Sequence, residues 1–422
     1  MAIEAAAGTV PGGFSGAALR ADFPIFDRPT RTGKRLCFLD AAASSPKPRA
    51  VIDAVADTYA HHYANVHRGI YELSEDATRL YEGARRRLAA FINAPSEREV
   101  VFVRNATEAI NLVAYSWART NLRTGDVIVT TQLEHHANIV PWQQAAAATG
   151  ARVEYVALTD EGQLDPDDLA AKLALRPRLV AVAHVSNALG TINPVADIVA
   201  RAHEVGALAL VDAAQSAPHM RVDVQQLDCD FLALSGHKML GPSGIGALWA
   251  RRGLLEAMPP FLTGGSMIIR VTLEGAEWNE VPAKFEAGTP AIAEAVGLGA
   301  AIDYLERLGM DAVREHERWL FCQAWEALSQ IPGVRLLGPS DAEVHAGVIS
   351  MIIDGVHPHD VATVFDHEGV AVRAGHHCAQ PVMDRYDVPA TTRASFYVYN
   401  DTDDIAALTD AVRATQRLFG TA

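Results

Sequence analysis

One lysine closes the stretch Ser235-Gly236-His237-Lys238 after a short apolar run. An amine at the end of a buried strand loses hydration, which lowers its pKa and frees it for Schiff-base chemistry. The alternative is a solvated loop lysine, the usual place for this residue type. The glycines from Gly241 to Gly246 run GxxGxG, a weak nucleotide signature that opens no helix. Asp212 and Gln215 follow another apolar run; the acid can pair with a cationic ring nitrogen or cap a helix. Thr107, in Asn105-Ala106-Thr107-Glu108, stands at a predicted helix start, where free N–H groups favour a phosphate and a plain cap fits equally. His135 and His136 follow the run Val127–Thr131, and an imidazole there can stack on a flat ring or sit in an ordinary loop.

The loop Arg373-Ala374-Gly375-His376-His377-Cys378-Ala379-Gln380-Pro381 offers different chemistry. Its arginine and histidines are positive neighbours that lower a thiol's pKa and populate the nucleophilic thiolate. A zinc site is the rival, since His and Cys both ligate zinc. Adjacent residues in an extended loop do not converge on one ion, and His357 and His359 would have to complete the set, so no metal is expected. Cys37, Cys229 and Cys322 lie in apolar runs and read as core residues.

These groups need a scaffold. From about residue 50 to 250, strand and helix signals alternate. Strands are predicted at Val127–Thr131, Val153–Leu158, Leu179–Val185, Ala207–Val211, Phe231–Leu234 and Ile245–Ala250. Most lack strict alternation, as a parallel sheet covered on both faces requires. Leu179–Val185, the helix Val195–Val205 closed by Gly206, and Ala207–Val211 make one βαβ crossover. Ser74 is a predicted N-cap for a helix with the apolar stripe Ala77, Leu80, Tyr81, Ala84, Leu88 and Phe91. Beyond residue 300 a long helical pattern (Ala300 to Leu328) precedes strand candidates at Val334–Leu337, Val348–Ile353, Val370–Val372 and Ala394–Val398, and a last helix from Thr402 to Leu418. The reading is α/β: a tail and arm over 1–36, a large domain with a mainly parallel sheet over 37–303, and a smaller α+β domain over 304–422 that carries the cysteine loop.

The chain has 36 Lys+Arg against 51 Asp+Glu, a net charge of −15, which argues against nucleic acid or an anionic membrane as partner. With 49% hydrophobic and 21% charged residues it can bury a large core, so disorder is excluded as the main state. Four cysteines give no disulfide framework and fit a reducing, cytoplasmic setting. No apolar run is long enough for a membrane span. Met1 to Ala18 has no basic n-region, reads as a loose tail rather than a signal peptide, and has no assignable role.

A phosphate end, a ring-nitrogen acid, a stacking imidazole and an amine together suit pyridoxal 5′-phosphate (PLP). The chain resembles the class V aminotransferase superfamily, and within it the Suf-type (group II) cysteine desulfurases and the similar selenocysteine lyases. The resemblance runs from Phe38-Leu39-Asp40-Ala41-Ala42-Ala43 to Arg393-Ala394-Ser395-Phe396-Tyr397. Between these lie Asn65-Val66-His67-Arg68-Gly69, Glu134-His135-His136-Ala137-Asn138, His184-Val185-Ser186-Asn187, the lysine stretch and the Cys378 loop. It implies a PLP-dependent transferase of fold type I, a homodimer. By this resemblance Lys238 forms the Schiff base and moves the substrate α-proton, Asp212 pairs with the pyridinium, and His135 stacks on the ring. Gln215 and Asn187 reach the ring oxygen or the substrate. Thr107, Ser235 and His237 hold the phosphate, with Thr289 of a second subunit. Arg393 clamps the substrate carboxylate, with Arg373 and His67 as further substrate contacts, and Cys378 takes the sulfur of L-cysteine as a persulfide. A SufE-like or SufU-like acceptor and iron–sulfur cluster assembly follow from the same resemblance. The alternatives are selenocysteine lyase with L-selenocysteine, cysteine-sulfinate desulfinase, another class V aminotransferase-type enzyme, and a catalytically dead sulfur carrier.

Overall fold

The computed structural model describes residues 15–421. Most of the expected N-terminal tail lies outside the described residues. Within the rest of that arm, Phe23 is fully buried against Phe26, Tyr304 and Tyr399.

Among the described residues seven strands form the central sheet: β1 Val100–Val103, β2 Val127–Thr131, β3 Arg152–Val156, β4 Leu179–Ala183, β5 Leu208–Asp212, β6 Phe231–Ser235 and β7 Gly246–Ala250. Their order is β1-β7-β6-β5-β4-β2-β3. The five from β6 to β3 are parallel, and β7 runs antiparallel to both β6 and β1. Every residue of β2, β4, β6 and β7 is buried, which is why their sequences do not alternate. The crossover helix Val195–Glu204 ends as expected: Gly206 takes φ +81° and its N–H bonds the His203 carbonyl at 2.9 Å. In register, Asp212 stands beside Ala183 of β4 and Ala233 of β6. The carboxyl ends of three buried strands therefore open onto one place, where open α/β sheets bind ligands.

A second sheet is antiparallel: β8 Val334–Leu337, β9 Val348–Ile353, β10 Arg373–Gly375 and β11 Thr391–Ser395, in the order β8-β9-β11-β10. Arg393 lies opposite Arg373 across β11 and β10. The helices Met310–Ser329 and Thr402–Phe419 share a core with this sheet. Among the described residues no helix is long and apolar enough to cross a membrane.

Several expectations need correction. The helical pattern from Ala300 is two helices, Ile292–Leu308 and Met310–Ser329, broken at Gly309 with φ +82°. Ser74 is no cap: the helix starts at Glu72, and the buried Ser74 hydroxyl donates to the Asn65 carbonyl at 2.7 Å. Val370–Ala371 pairs with Cys37–Phe38 rather than joining the second sheet, and the strand expected at Ala394–Val398 lies at Thr391–Ser395. Cys322 is exposed, because Leu320, Phe321 and Ala324 turn the other side of the helix inward.

Candidate active site

β6 runs into a single 3-10 turn, Gly236–Lys238, that delivers the lysine. Gly236 is required there: a Cβ would stand 2.8 Å from the Ile245 carbonyl oxygen. The turn is tied down through the His237 carbonyl, which accepts from Lys47 Nζ at 2.7 Å, Ser45 Oγ at 3.2 Å and Ser44 Oγ at 3.3 Å. Lys238 faces a cavity of about 160 Å³. Burial lowers its pKa to about 8; Asp212 pulls the other way, while Arg393 and Arg373 add to the lowering.

Around this amine the cavity gathers Asp212 and Gln215 from the end of β5, Asn187 from beyond β4, and His135 from beyond β2. Asp212 is buried, its Oδ1 accepts from the Ala214 N–H at 2.9 Å, and desolvation raises its pKa. His135 Nδ1 accepts from the Ala137 N–H at 3.0 Å, so the neutral ring carries its proton on Nε2. Burial, then the Lys238 charge, lowers this imidazole to about 3. At the other end are Thr107, Ser235 and His237. Ser235 Oγ accepts from the Ala106 N–H at 2.9 Å, and Asn105 caps the helix Ala106–Leu112 through the Glu108 N–H. The N–H groups of Ala106 and Glu108 are thus taken, and it is Thr107, at the positive end of this helix, that lines the cavity as an anion contact.

The second sheet closes the cavity. Arg393 is fully buried, donating Nη1 to the Asn187 carbonyl at 2.8 Å and Nη2 to Asp40 Oδ1 at 3.0 Å. Arg373 and the half-buried Cys378 complete the lining. His377 corrects the expected electrostatics of the thiol. Its ring is buried against Thr391 Oγ1 at 2.8 Å, and burial followed by Arg393 and Arg373 holds it neutral, at about 2. The positive charge lining the cavity with Cys378 therefore comes from Arg373, Arg393 and Lys238.

Two expected residues lie elsewhere in this chain. His67 bonds Glu82 Oε1 at 2.8 Å and lines a separate cavity of about 390 Å³ beside Gly288. Thr289 lines a third, of about 520 Å³. Asp40 and Lys47 bear on the site but were given no role from sequence. Asp40 lies within the quoted stretch Phe38–Ala43, whereas a lysine bonded only to carbonyls leaves no sequence signal.

The donor set fits PLP. An amine of lowered pKa, a buried carboxylate, a neutral imidazole and a helix N-terminus surround one cavity. Gln215 Oε1 and Arg393 Nε are buried with no hydrogen-bond partner, as polar atoms awaiting a ligand are.

Known proteins share this build. The family model described as aminotransferase class-V matches residues 37–408. A protein of Streptomyces coelicolor named a probable cysteine desulfurase is 51% identical over 415 residues, 97% of this chain and 99% of its own. The apo cysteine desulfurase of Thermococcus onnurineus superposes with a TM-score of 0.90 at 40% identity, covering 99% of this chain and all of that one. The cysteine desulfurase CsdA of Escherichia coli gives 0.88 at 38% identity over 96% of this chain and 99% of its own. The chain belongs to the class-V aminotransferase family.

Proposed function

We propose that the protein is a PLP-dependent cysteine desulfurase that converts L-cysteine to L-alanine and leaves a persulfide on Cys378. The observation that carries this reading is the thiol of Cys378 lining the same cavity as Lys238, Asp212 and Arg393. Transamination has no use for that thiol.

Bound there, PLP supplies an aldehyde for the substrate amine and a ring that draws electrons from the substrate carbons. Lys238 would hold the cofactor and would move a proton at the substrate α-carbon. Asp212 would keep the ring nitrogen protonated, and His135 would pack against the ring. Asn187 and Gln215 reach the ring oxygen or the substrate. Thr107, Ser235 and His237 hold the phosphate, with Thr289 from a second copy in a homodimer. Arg393 clamps the substrate carboxylate in the bidentate geometry guanidinium favours, and Arg373 guides it. The Cys378 thiolate forms an S–S bond to the substrate sulfur as the Cβ–S bond breaks. The electron pair of that bond passes to the carbon frame, which takes up protons and leaves as alanine.

In this reading residues 37–303 act as the cofactor-binding unit and 304–422 as the unit that brings the thiol. A Suf-type system in a cytoplasmic setting, with a SufE-like or SufU-like acceptor taking the sulfur for iron–sulfur cluster assembly, fits the loop's form. The test is alanine release from cysteine, selenocysteine and cysteine sulfinate in parallel. Turnover of cysteine that depends on Cys378 supports the reading; turnover of selenocysteine or the sulfinate alone overturns it.

A further inference from the structure

We propose that His136 is a positioning residue for the Cys378 thiol, gripping the thiol loop at the cysteine's own carbonyl and again two residues further on, at Gln380. His377 and Cys378 take φ +53° and +55°, two consecutive left-handed residues that carry side chains. This region is unfavourable for such residues, so contacts from outside the loop must hold it. Two of them come from His136. Its main-chain N–H donates to the Cys378 carbonyl at 2.7 Å, and its Nε2 accepts from the Gln380 N–H at 3.0 Å. A third, Asn187 Nδ2 to the His377 carbonyl at 2.5 Å, comes from beyond β4.

His136 stands on a firm base. The turn His136–Asn138 follows Glu134, whose buried carboxylate accepts from Thr131 Oγ1 and Asn138 Nδ2, each at 2.7 Å. Asn138 Oδ1 in turn accepts from Trp142 Nε1 at 2.9 Å. The neighbours His135 and Ala137 line the Lys238 cavity, and His136 does not. Its influence on the reaction therefore passes through the loop. Because the partner of Nε2 is an N–H group, that nitrogen must offer a lone pair, which the neutral ring supplies.

The test compares His136→Asn with His136→Gln in the holoenzyme, both in a Cys322→Ser background that removes the exposed thiol. A glutamine amide oxygen reaches the place of Nε2, whereas an asparagine oxygen reaches only that of Nδ1. Readouts are alanine release from cysteine and from selenocysteine, absorbance of bound PLP, and the rate of Cys378 alkylation by iodoacetamide. The asparagine variant is expected to lose about tenfold in cysteine turnover, the scale of one lost hydrogen bond, and to alkylate several-fold faster. Its selenocysteine turnover and cofactor absorbance should stay within about twofold, and glutamine should restore most of the cysteine turnover.

Equal behaviour of the two variants, or equal loss on both substrates, would overturn the proposal. The kinetic half rests on the desulfurase reading. If the parent enzyme releases no alanine from cysteine, that reading fails instead, and the alkylation rates still decide whether His136 grips the loop.

Discussion

Asp212 closes β5 and Lys238 ends the single turn that follows β6, and both strands have hydrogen-bonded neighbours on either side, with backbone buried throughout β6. Cys378 is placed by a loop in left-handed conformation, half-buried and held by groups borrowed from the ends of β2 and β4. The amine and the acid must keep one geometry while proton and charge move. In the proposed function the thiol meets the substrate and then passes its sulfur on, which a group deep in the sheet cannot do. Damage to the two regions should therefore fail differently.

The largest effect is expected at Lys238. Lys238→Ala should abolish turnover of cysteine and selenocysteine alike, together with the absorbance of bound cofactor. Retained turnover of either substrate by the purified variant would break the comparison at its rigid end.

Next comes Asp212→Asn. The amide nearly matches the carboxylate in size but cannot hold the ring nitrogen's proton by charge, a contribution worth several kcal/mol in preorganised sites. kcat should fall by well over tenfold while the melting temperature barely moves. A loss within about tenfold, or roughly 1.4 kcal/mol, would remove this role from Asp212.

A smaller effect concerns acid. His377 and His345 are buried and held neutral, at about 2 and about 3, mainly by desolvation. Both folded values lie below the ordinary value of 6.5, so between them the unfolded chain binds protons that the folded chain refuses. Stability is thus intact above pH ~6.5 and lost as pH falls, by roughly 1.4 kcal/mol per unit for each such histidine. The melting temperature should drop between pH 7 and 5, and less steeply in His377→Asn, since asparagine tolerates the left-handed backbone. An unchanged slope would show that His377 is not held neutral.

The central sheet was legible because buried parallel strands write themselves as short apolar runs, and Gly206 marks the helix end. Asp212 and Lys238 were legible for the same reason: each closes such a run. The second sheet was read less well. Thr391–Ser395 is polar in composition yet wholly buried, its hydroxyls and two of the three Arg393 nitrogens bonded to partners elsewhere in the chain. Cys322 was misplaced because one residue's rotation on a helix decides its face. Lys47 and the grip of His136 left no mark, because bonds to backbone groups depend on the fold rather than on residue type.

The claim that Cys378 carries the sulfur is tested most directly by mass analysis of its peptide after a single addition of L-cysteine, with no acceptor or reductant present. The account predicts a Cys378 peptide heavier by one sulfur atom, formed together with alanine. It further predicts that Cys378→Ala stops alanine release from cysteine while selenocysteine is still turned over. Alanine formed from cysteine without sulfur on Cys378, or at an unchanged rate in Cys378→Ala, would contradict it.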